Sequence, residues 1–87
     1  MYKAGKNSVL IVDDESSNIL ALTHILRSEY TVYAAKSGKA GIQAAEKIIP
    51  DVILLDIIMP EMDGFDVLTQ LKASAKTKNI PVFLLQA

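Results

Sequence analysis

Three aspartates occupy positions from which their side chains could act together. Asp13 and Asp14 directly follow the apolar run 8–12, and Asp56 directly follows the apolar run 52–55. If such runs form an open parallel sheet, the carboxyl ends of the strands share one edge, where ligands bind. Three carboxylates at one edge repel one another and raise each other's pKa unless a cation lies among them. The pattern therefore predicts a site for a hard divalent cation.

Mg2+ fits this group better than a fully caged Ca2+, because it accepts a few carboxylates, keeps waters and leaves room for a phosphate oxygen. A carboxylate beside such an ion can attack a phosphoryl group and form an aspartyl phosphate, while the metal neutralises charge on the transferred oxygens. For Asp13 and Asp14 alone, a role at the positive N-terminus of the next helix is the simpler explanation. Their combination with Asp56 favours the metal site.

The elements that would position these aspartates alternate along the chain. Short apolar or β-branched runs predict strands at 8–12, 30–35, 51–55 and 80–85. Amphipathic runs predict helices at 16–29, at 38–49 and from Asp63 through Leu71. Strands that alternate with helices imply parallel βαβ units with right-handed crossovers. The expected fold is therefore an α/β doubly wound parallel sheet.

Several polar residues have structural explanations. Ser16 or Ser17 is available to cap the first helix, and Asp63 to cap the third, with Asp66 three residues on. His24 has apolar neighbours within the first helix, so it is expected to be a partly exposed structural residue. The lysines at 72, 76 and 78 lie where cations suit a helix C-terminus and the following loop.

Composition limits the function classes. The chain has 87 residues, 51% of them hydrophobic, a net charge of −1 and no cysteine. This balance argues against direct nucleic acid binding, and the absence of cysteine excludes disulfides, thiolate nucleophiles and Cys-ligated zinc. The N-terminus lacks a signal-peptide core, and no apolar run approaches the ~20 residues that cross a bilayer. We expect a cytoplasmic chain without membrane contact, with a short arm at 1–7 and one domain at 8–87.

Three segments together resemble the receiver domain of two-component response regulators: VLIVDDE (9–15), DVILLDIIMPEMDGFDVL (51–68) and IPVFLLQA (80–87). The resemblance implies a flavodoxin-like sheet with strand order 2-1-3-4. It also implies that Asp56 is the phosphoacceptor and that Asp13 and Asp14 hold Mg2+ directly or through water. The backbone carbonyl of Ile58 would supply a further ligand.

The same resemblance implies a loop and a partner. Met59, Pro60 and Gly64 would shape the loop that lets Asp56 project toward the ion. The phosphoryl group would come from a histidine kinase or a phosphotransfer protein in a phosphorelay. The domain would take part in its own phosphorylation without being a conventional turnover enzyme.

The sequence departs from the receiver pattern in two places. Gln86 stands where receivers usually carry a Ser or Thr whose hydroxyl contacts the phosphoryl group. The chain also stops at Ala87, so we expect it to lack the last strand, with its phosphate-binding Lys, and the last two helices. Such a chain would keep the metal site and lose part of the switch. The exposed fourth strand, 82–85, is then expected to support self-association.

Two alternatives belong to other function classes. A haloacid-dehalogenase-like phosphohydrolase also uses an aspartyl nucleophile and Mg2+, but it usually needs an Asp two residues after the nucleophile, where this chain has Ile58. A receiver-shaped docking module that is no longer phosphorylated is the second alternative, which Gln86 and the early ending favour.

Overall fold

A computed structural model describes residues 6–86, and within them all seven predicted elements are present. In chain order they are β1 (Asn7–Val12), α1 (Ser16–Leu26), β2 (Tyr30–Ala35), α2 (Gly38–Ile48), β3 (Val52–Asp56), α3 (Gly64–Ala73) and β4 (Val82–Leu85). Residues 1–5 of the expected N-terminal arm, and Ala87 at the other end, lie outside the described residues. β1 begins at Asn7, the last residue of the expected arm.

The four strands form one parallel sheet in the order β2-β1-β3-β4. Val12 at the end of β1 lies opposite Leu55 of β3 and Ala35 of β2. The polar residues that follow β1 and β3 therefore meet at one edge, where the chain crosses from one side of the sheet to the other. The flavodoxin-like order predicted from the sequence is confirmed.

Helices cover the two faces of the sheet unequally. α2 and α3 pack together on one face over the main core, which includes Leu10, Val12, Ile53, Leu55, Val67 and Leu71. α1 lies against β2 and has no buried residue. The central strand β1 is nevertheless covered on both faces, because its last four residues are at most 2% exposed. This is why its sequence is continuously apolar.

The first helix starts at Ser16, as predicted, but its cap and its end differ from the prediction. It ends at Leu26, three residues before the expected end at residue 29. The prediction that Ser16 or Ser17 caps the helix is wrong, because the cap position is Glu15, which makes no side-chain capping hydrogen bond. The carboxylate of Asp13 instead accepts the Glu15 N–H at 2.9 Å. The start of α1 is thus tied to a candidate metal ligand.

The other two helices begin with side-chain caps. Ser37 Oγ accepts the N–H of Ala40 at 3.1 Å at the start of α2. Asp63 and Asp66 form the predicted capping box, in which each side chain accepts the backbone N–H of the other residue. These caps fix the residue at which each helix begins.

The connection from α3 to β4 is held by two side chains. The buried Thr77 hydroxyl donates to the Leu71 carbonyl at 2.6 Å. Lys72 Nζ donates to the carbonyls of Lys78 and Ile80, at 3.1 and 2.9 Å. The predicted role of Lys72 near the helix end therefore takes the form of hydrogen bonds that fix the loop before β4. The strand itself starts at Val82, after Ile80 and Pro81, which had been predicted to belong to it.

Candidate functional site

The three aspartates singled out in the sequence lie together at the carboxyl edge of the sheet. Asp13 and Asp14 follow β1, and Asp56 is the last residue of the neighbouring strand β3. One carboxylate oxygen from each lies within 4.8 Å of the others. Asp13 and Asp56 are 4% and 7% exposed, and Asp14 is half-buried. The predicted clustering of the three carboxylates is thus present.

Hydrogen bonds hold two of these carboxylates in place. Asp13 Oδ1 accepts a hydrogen bond from the Glu15 N–H, and Asp13 Oδ2 accepts one from Asn18 Nδ2 at 3.2 Å. Asp56 Oδ1 accepts the Ile58 N–H at 3.2 Å. Each carboxylate is therefore oriented by the segment that follows its own strand.

The electrostatic environment of Asp56 is unfavourable to its charged form. Burial raises the pKa of Asp56 above its ordinary value of 3.8, and the negative charges of Asp13 and Asp14 raise it further. The Ile58 N–H lowers that pKa and opposes these effects only in part. A cation placed among the three carboxylates would remove the repulsion.

The donor set suits a hard cation. Three carboxylates within one short span supply the oxygen ligands that Mg2+ prefers, and fewer ligands than a full coordination shell leave positions for water or a phosphate oxygen. Asp13, Asp14 and Asp56 are the residues that could hold such an ion. The backbone carbonyl of Ile58 stays a predicted ligand. The Ile58 residue itself is 71% exposed.

The loop after β3 passes very close to the phosphoacceptor candidate. The Gly64 N–H donates to the Ile57 carbonyl at 2.8 Å, and a Cβ added at Gly64 would lie 2.5 Å from the Asp56 carbonyl oxygen. Only glycine allows this approach. Met59 is buried in the core at 7% exposure, while Pro60 is exposed. The loop is therefore fixed by Met59 and Gly64, and it places Asp56 at the mouth of a cleft.

That cleft has a volume of about 350 Å3 and lies between α1 and the ends of β1, β3 and β4. Its lining residues are Asp13, Asn18, Ala21, Leu22, Asp56, Leu85 and Gln86. Gln86 is exposed and reaches the cleft because Leu85, its neighbour in the chain, pairs with Asp56 in the sheet. The residue that departs from the receiver pattern thus lies beside the candidate phosphoacceptor.

Asn18 is a site residue that the sequence analysis missed. It donates to Asp13 and lines the cleft from the first turn of α1. The available signal was its position five residues after Asp13, in the first turn of the helix that follows the two aspartates. His24 is exposed on the same helix and does not line the cleft.

The raised pKa of Asp56 predicts a pH-dependent stability change. Because the folded pKa lies above the unfolded value, ionisation of Asp56 costs stability, and this cost grows as pH rises through the folded pKa. In the presence of a chelator, Asp56→Asn should therefore unfold at a higher temperature than the parent chain at neutral pH. The gain should shrink as pH falls through the folded pKa and should be absent below the unfolded value of 3.8.

Thermal unfolding followed by circular dichroism across this pH range would measure the effect. Glu29→Gln, at an exposed carboxylate, serves as the control and should show no comparable gain. A loss of stability in Asp56→Asn at neutral pH without metal would contradict the electrostatic argument.

The chain is similar to a known family of domains and to individual proteins. A family model described as the response regulator receiver domain matches residues 9–87. The response regulator PleD of Caulobacter vibrioides is 42% identical over 80 residues, which are 91% of this chain and 18% of PleD. The protein PilH of Pseudomonas aeruginosa is 38% identical over 78 residues, which are 88% of this chain and 64% of PilH.

A solved receiver-domain structure has the same fold as this chain. The receiver domain of sensor histidine kinase PA1611 from Pseudomonas aeruginosa, which has a magnesium ion coordinated in its active site cleft, superposes with a TM-score of 0.87. It is 26% identical, and the alignment covers 92% of this chain and 66% of that one.

The chain spans only part of the proteins named above: 18% of PleD, 64% of PilH and 66% of the PA1611 receiver. It is short of a full receiver domain, as the sequence led us to expect. No helix within residues 6–86 has the length and apolar character needed to cross a membrane. The match over residues 9–87 and the shared parallel sheet are sufficient to assign the chain, which belongs to the response regulator receiver domain family.

Proposed function

We propose that this chain accepts a phosphoryl group on Asp56 from a histidine kinase or a phosphotransfer protein, in a reaction that depends on Mg2+. The observation that carries the proposal is the cluster of Asp13, Asp14 and Asp56 beside an open cleft. The receiver family consists of signalling domains, and the PA1611 receiver is itself part of a histidine kinase. A cytoplasmic location goes with this role and stays a prediction.

In this reaction the protein mainly positions the reacting groups. An oxygen of ionised Asp56 attacks phosphorus, the bond from phosphorus to the donor's nitrogen or oxygen breaks, and the donor leaves with that electron pair. Mg2+ bound by the three aspartates would neutralise charge on the phosphoryl oxygens. Ile58 holds the attacking carboxylate through its N–H, and Asn18 holds Asp13. The cleft leaves space for the donor group.

Gln86 is the residue that could contact the transferred group in place of the usual hydroxyl. Its amide can donate a hydrogen bond, and it lines the same cleft as Asp56. The Gln side chain is longer than that of Ser or Thr, so its terminal amide would make the contact from a backbone position farther from the phosphoryl group. We propose that Gln86 contributes to holding the phosphoryl group.

The two alternatives are separated by different observations. A haloacid-dehalogenase-like hydrolase would need an acid two residues after Asp56, and Ile58 presents an exposed apolar side chain there. Membership of the receiver family also disfavours this alternative. A docking module that is never phosphorylated would retain the fold and fail to react, and only a reaction can distinguish it.

Intact mass spectrometry after incubation with acetyl phosphate and Mg2+ tests the proposal. We expect a gain of one phosphoryl group, no gain with a chelator, and no gain in Asp56→Asn. A failure of the parent chain that Gln86→Thr corrects would assign the defect to that side chain. A chain that binds Mg2+ but stays unmodified in both forms would support the docking module.

A further inference from the structure

The first turn of α1 is attached to a candidate metal ligand by two hydrogen bonds. Asp13 Oδ1 accepts one from the Glu15 N–H at 2.9 Å, and Asp13 Oδ2 accepts one from Asn18 Nδ2 at 3.2 Å. The last side-chain torsion of an aspartate has only a broad preference, so the contacts of the carboxylate set its plane. Because both oxygens of Asp13 are engaged, these two donors determine how it faces Asp14 and Asp56.

The two donors differ in how much they depend on the sequence. The Glu15 N–H is a backbone group two residues from Asp13, so every residue type except proline would supply it at that position. Asn18 donates through its side chain, from the first turn of α1. That turn is closed by the Ile19 N–H, which donates to the Glu15 carbonyl at 3.2 Å. Asn18 is therefore the contact of Asp13 that a change of residue type would remove.

The amide of Asn18 suits a carboxylate that has to attract a cation. A lysine or arginine at this position would also donate to Asp13, but its positive charge would repel a cation bound nearby. An amide donates a hydrogen bond without adding a charge. Hydrogen bonds to an ionised acceptor are roughly twice as strong as those between neutral groups, so a neutral donor is sufficient to hold the carboxylate. Asn18 can thus orient Asp13 without competing with the cation.

The start of α1 depends on Asp13 because the helix has no cap of its own. The cap residue Glu15 makes no side-chain capping hydrogen bond, and the first turn contains no acidic residue. α2 and α3 differ in this respect, since Ser37 and Asp63 cap them with their side chains. A ligand that fixes Asp13 therefore also fixes the start of α1, and Asn18 is the side chain that connects the two.

We propose that Asn18 is a positioning residue that couples the first turn of α1 to Mg2+ binding at Asp13. Asn18 holds the Asp13 carboxylate in the orientation found in the cluster, and a cation bound to Asp13 holds that carboxylate against the helix start. Coupling between two sites is reciprocal in free energy, so each contact strengthens the other. This inference rests on the Mg2+ site of the proposed function, and it adds a route by which α1 and that site influence each other.

Mg2+ affinity, from an NMR titration, measures the positioning role. Residues that orient a metal ligand typically contribute about 10- to 100-fold to metal affinity, and the exposure of Asn18 places it at the low end of that range. Asn18→Ala should therefore weaken Mg2+ binding by roughly tenfold. Asn18→Gln, which keeps an amide donor on a longer side chain, should lose less, and an equal loss in both variants would overturn the role of the donor. Ser17→Ala, at an exposed neighbour in the same turn, is the matched control and should bind Mg2+ normally.

A double-mutant cycle separates this role from a general effect on the helix. In an Asp13→Ala background the Asn18 side chain has lost its acceptor, so Asn18→Ala should weaken Mg2+ binding no further. A loss as large in that background as in the parent chain would overturn the proposal. An unchanged affinity in Asn18→Ala, beside a loss in Asp13→Ala, would overturn it and leave the proposed function intact. An unchanged affinity in Asp13→Ala would remove the metal site itself, and this proposal with it.

Hydrogen exchange measures the coupling in the opposite direction, from the metal to the helix. The Ile19 N–H donates to the Glu15 carbonyl, so its exchange reports opening of the first turn of α1. Saturating Mg2+ should slow this exchange in the parent chain, and the Nδ2 protons of Asn18 should shift in the NMR spectrum. In Asn18→Ala, at a Mg2+ concentration that saturates the variant, the slowing should be much smaller. Equal slowing in the two chains, or none in the parent chain, would overturn the proposal.

Discussion

Mg2+ affinity should fall by at least roughly 100-fold when Asp13 and Asp56 are both replaced by asparagine, because losing a buried opposite charge costs about 3 kcal/mol or more. The two side chains are the most buried of the three candidate ligands. Asparagine keeps their shape and removes the charge that attracts the cation. A titration of Mg2+ followed by the NMR shifts of amides near residues 13, 14 and 56 would give the affinity.

The control for this experiment is Glu29→Gln, which removes an exposed carboxylate outside the cluster. It should leave the Mg2+ affinity close to that of the parent chain. An unchanged affinity in the double variant would mean that the cation binds elsewhere. Amide shifts confined to another region would lead to the same conclusion.

The second large effect concerns Gly64. Helix propensity alone would predict that Gly64→Ala stabilises the first turn of α3 by up to about 1 kcal/mol. The structure predicts the opposite sign, because the new Cβ would lie 2.5 Å from the Asp56 carbonyl oxygen and 2.7 Å from Ile57 Cα. Both are backbone atoms, which cannot move without shifting the strand end. We expect a net loss of about 2 kcal/mol in the free energy of unfolding, from urea denaturation.

Gly38→Ala is the matched control, because it makes the same change at the start of α2. Its Cβ would meet side-chain atoms of Met62 and Val67, which can adjust more easily than backbone. We expect a smaller loss of stability and little change in Mg2+ affinity. Gly64→Ala should weaken Mg2+ binding as well, since it displaces Asp56. A stable Gly64→Ala with normal Mg2+ affinity would show that the loop has more freedom than the structure indicates.

The sheet and the site cluster could be predicted because their signals are strong in the sequence. A continuous apolar run marks a strand covered on both faces, and β1 has its last four residues buried. Parallel topology then brings the residues after β1 and β3 to one edge, which is why Asp13 and Asp56 meet. The sequence could assign Gly64 a role in shaping the loop. It could not predict the close approach of Gly64 to the Asp56 backbone, because that approach depends on tertiary packing.

Features that depend on local competition could not be predicted. Ser16 was a reasonable cap from its residue type, but Asp13 takes the hydrogen bond that fixes the start of α1. Asn18 was missed because a polar residue on an exposed helix usually faces solvent, and only the short connection after β1 turns it toward Asp13. Period-two alternation fixes which residues share a face, but not which face is covered. Phe83 is therefore exposed while Leu84 packs against the core.

Locating the phosphoryl group is the most direct test of Asp56 as phosphoacceptor. After reaction with acetyl phosphate and Mg2+, borohydride should reduce the acyl phosphate, and peptide mapping should find homoserine at position 56 alone. Because Asp13 and Asp14 lie in the same cluster, they are internal controls that must remain aspartate. Homoserine at position 13 or 14, or reduction at another carboxylate with position 56 intact, would contradict the account of this site.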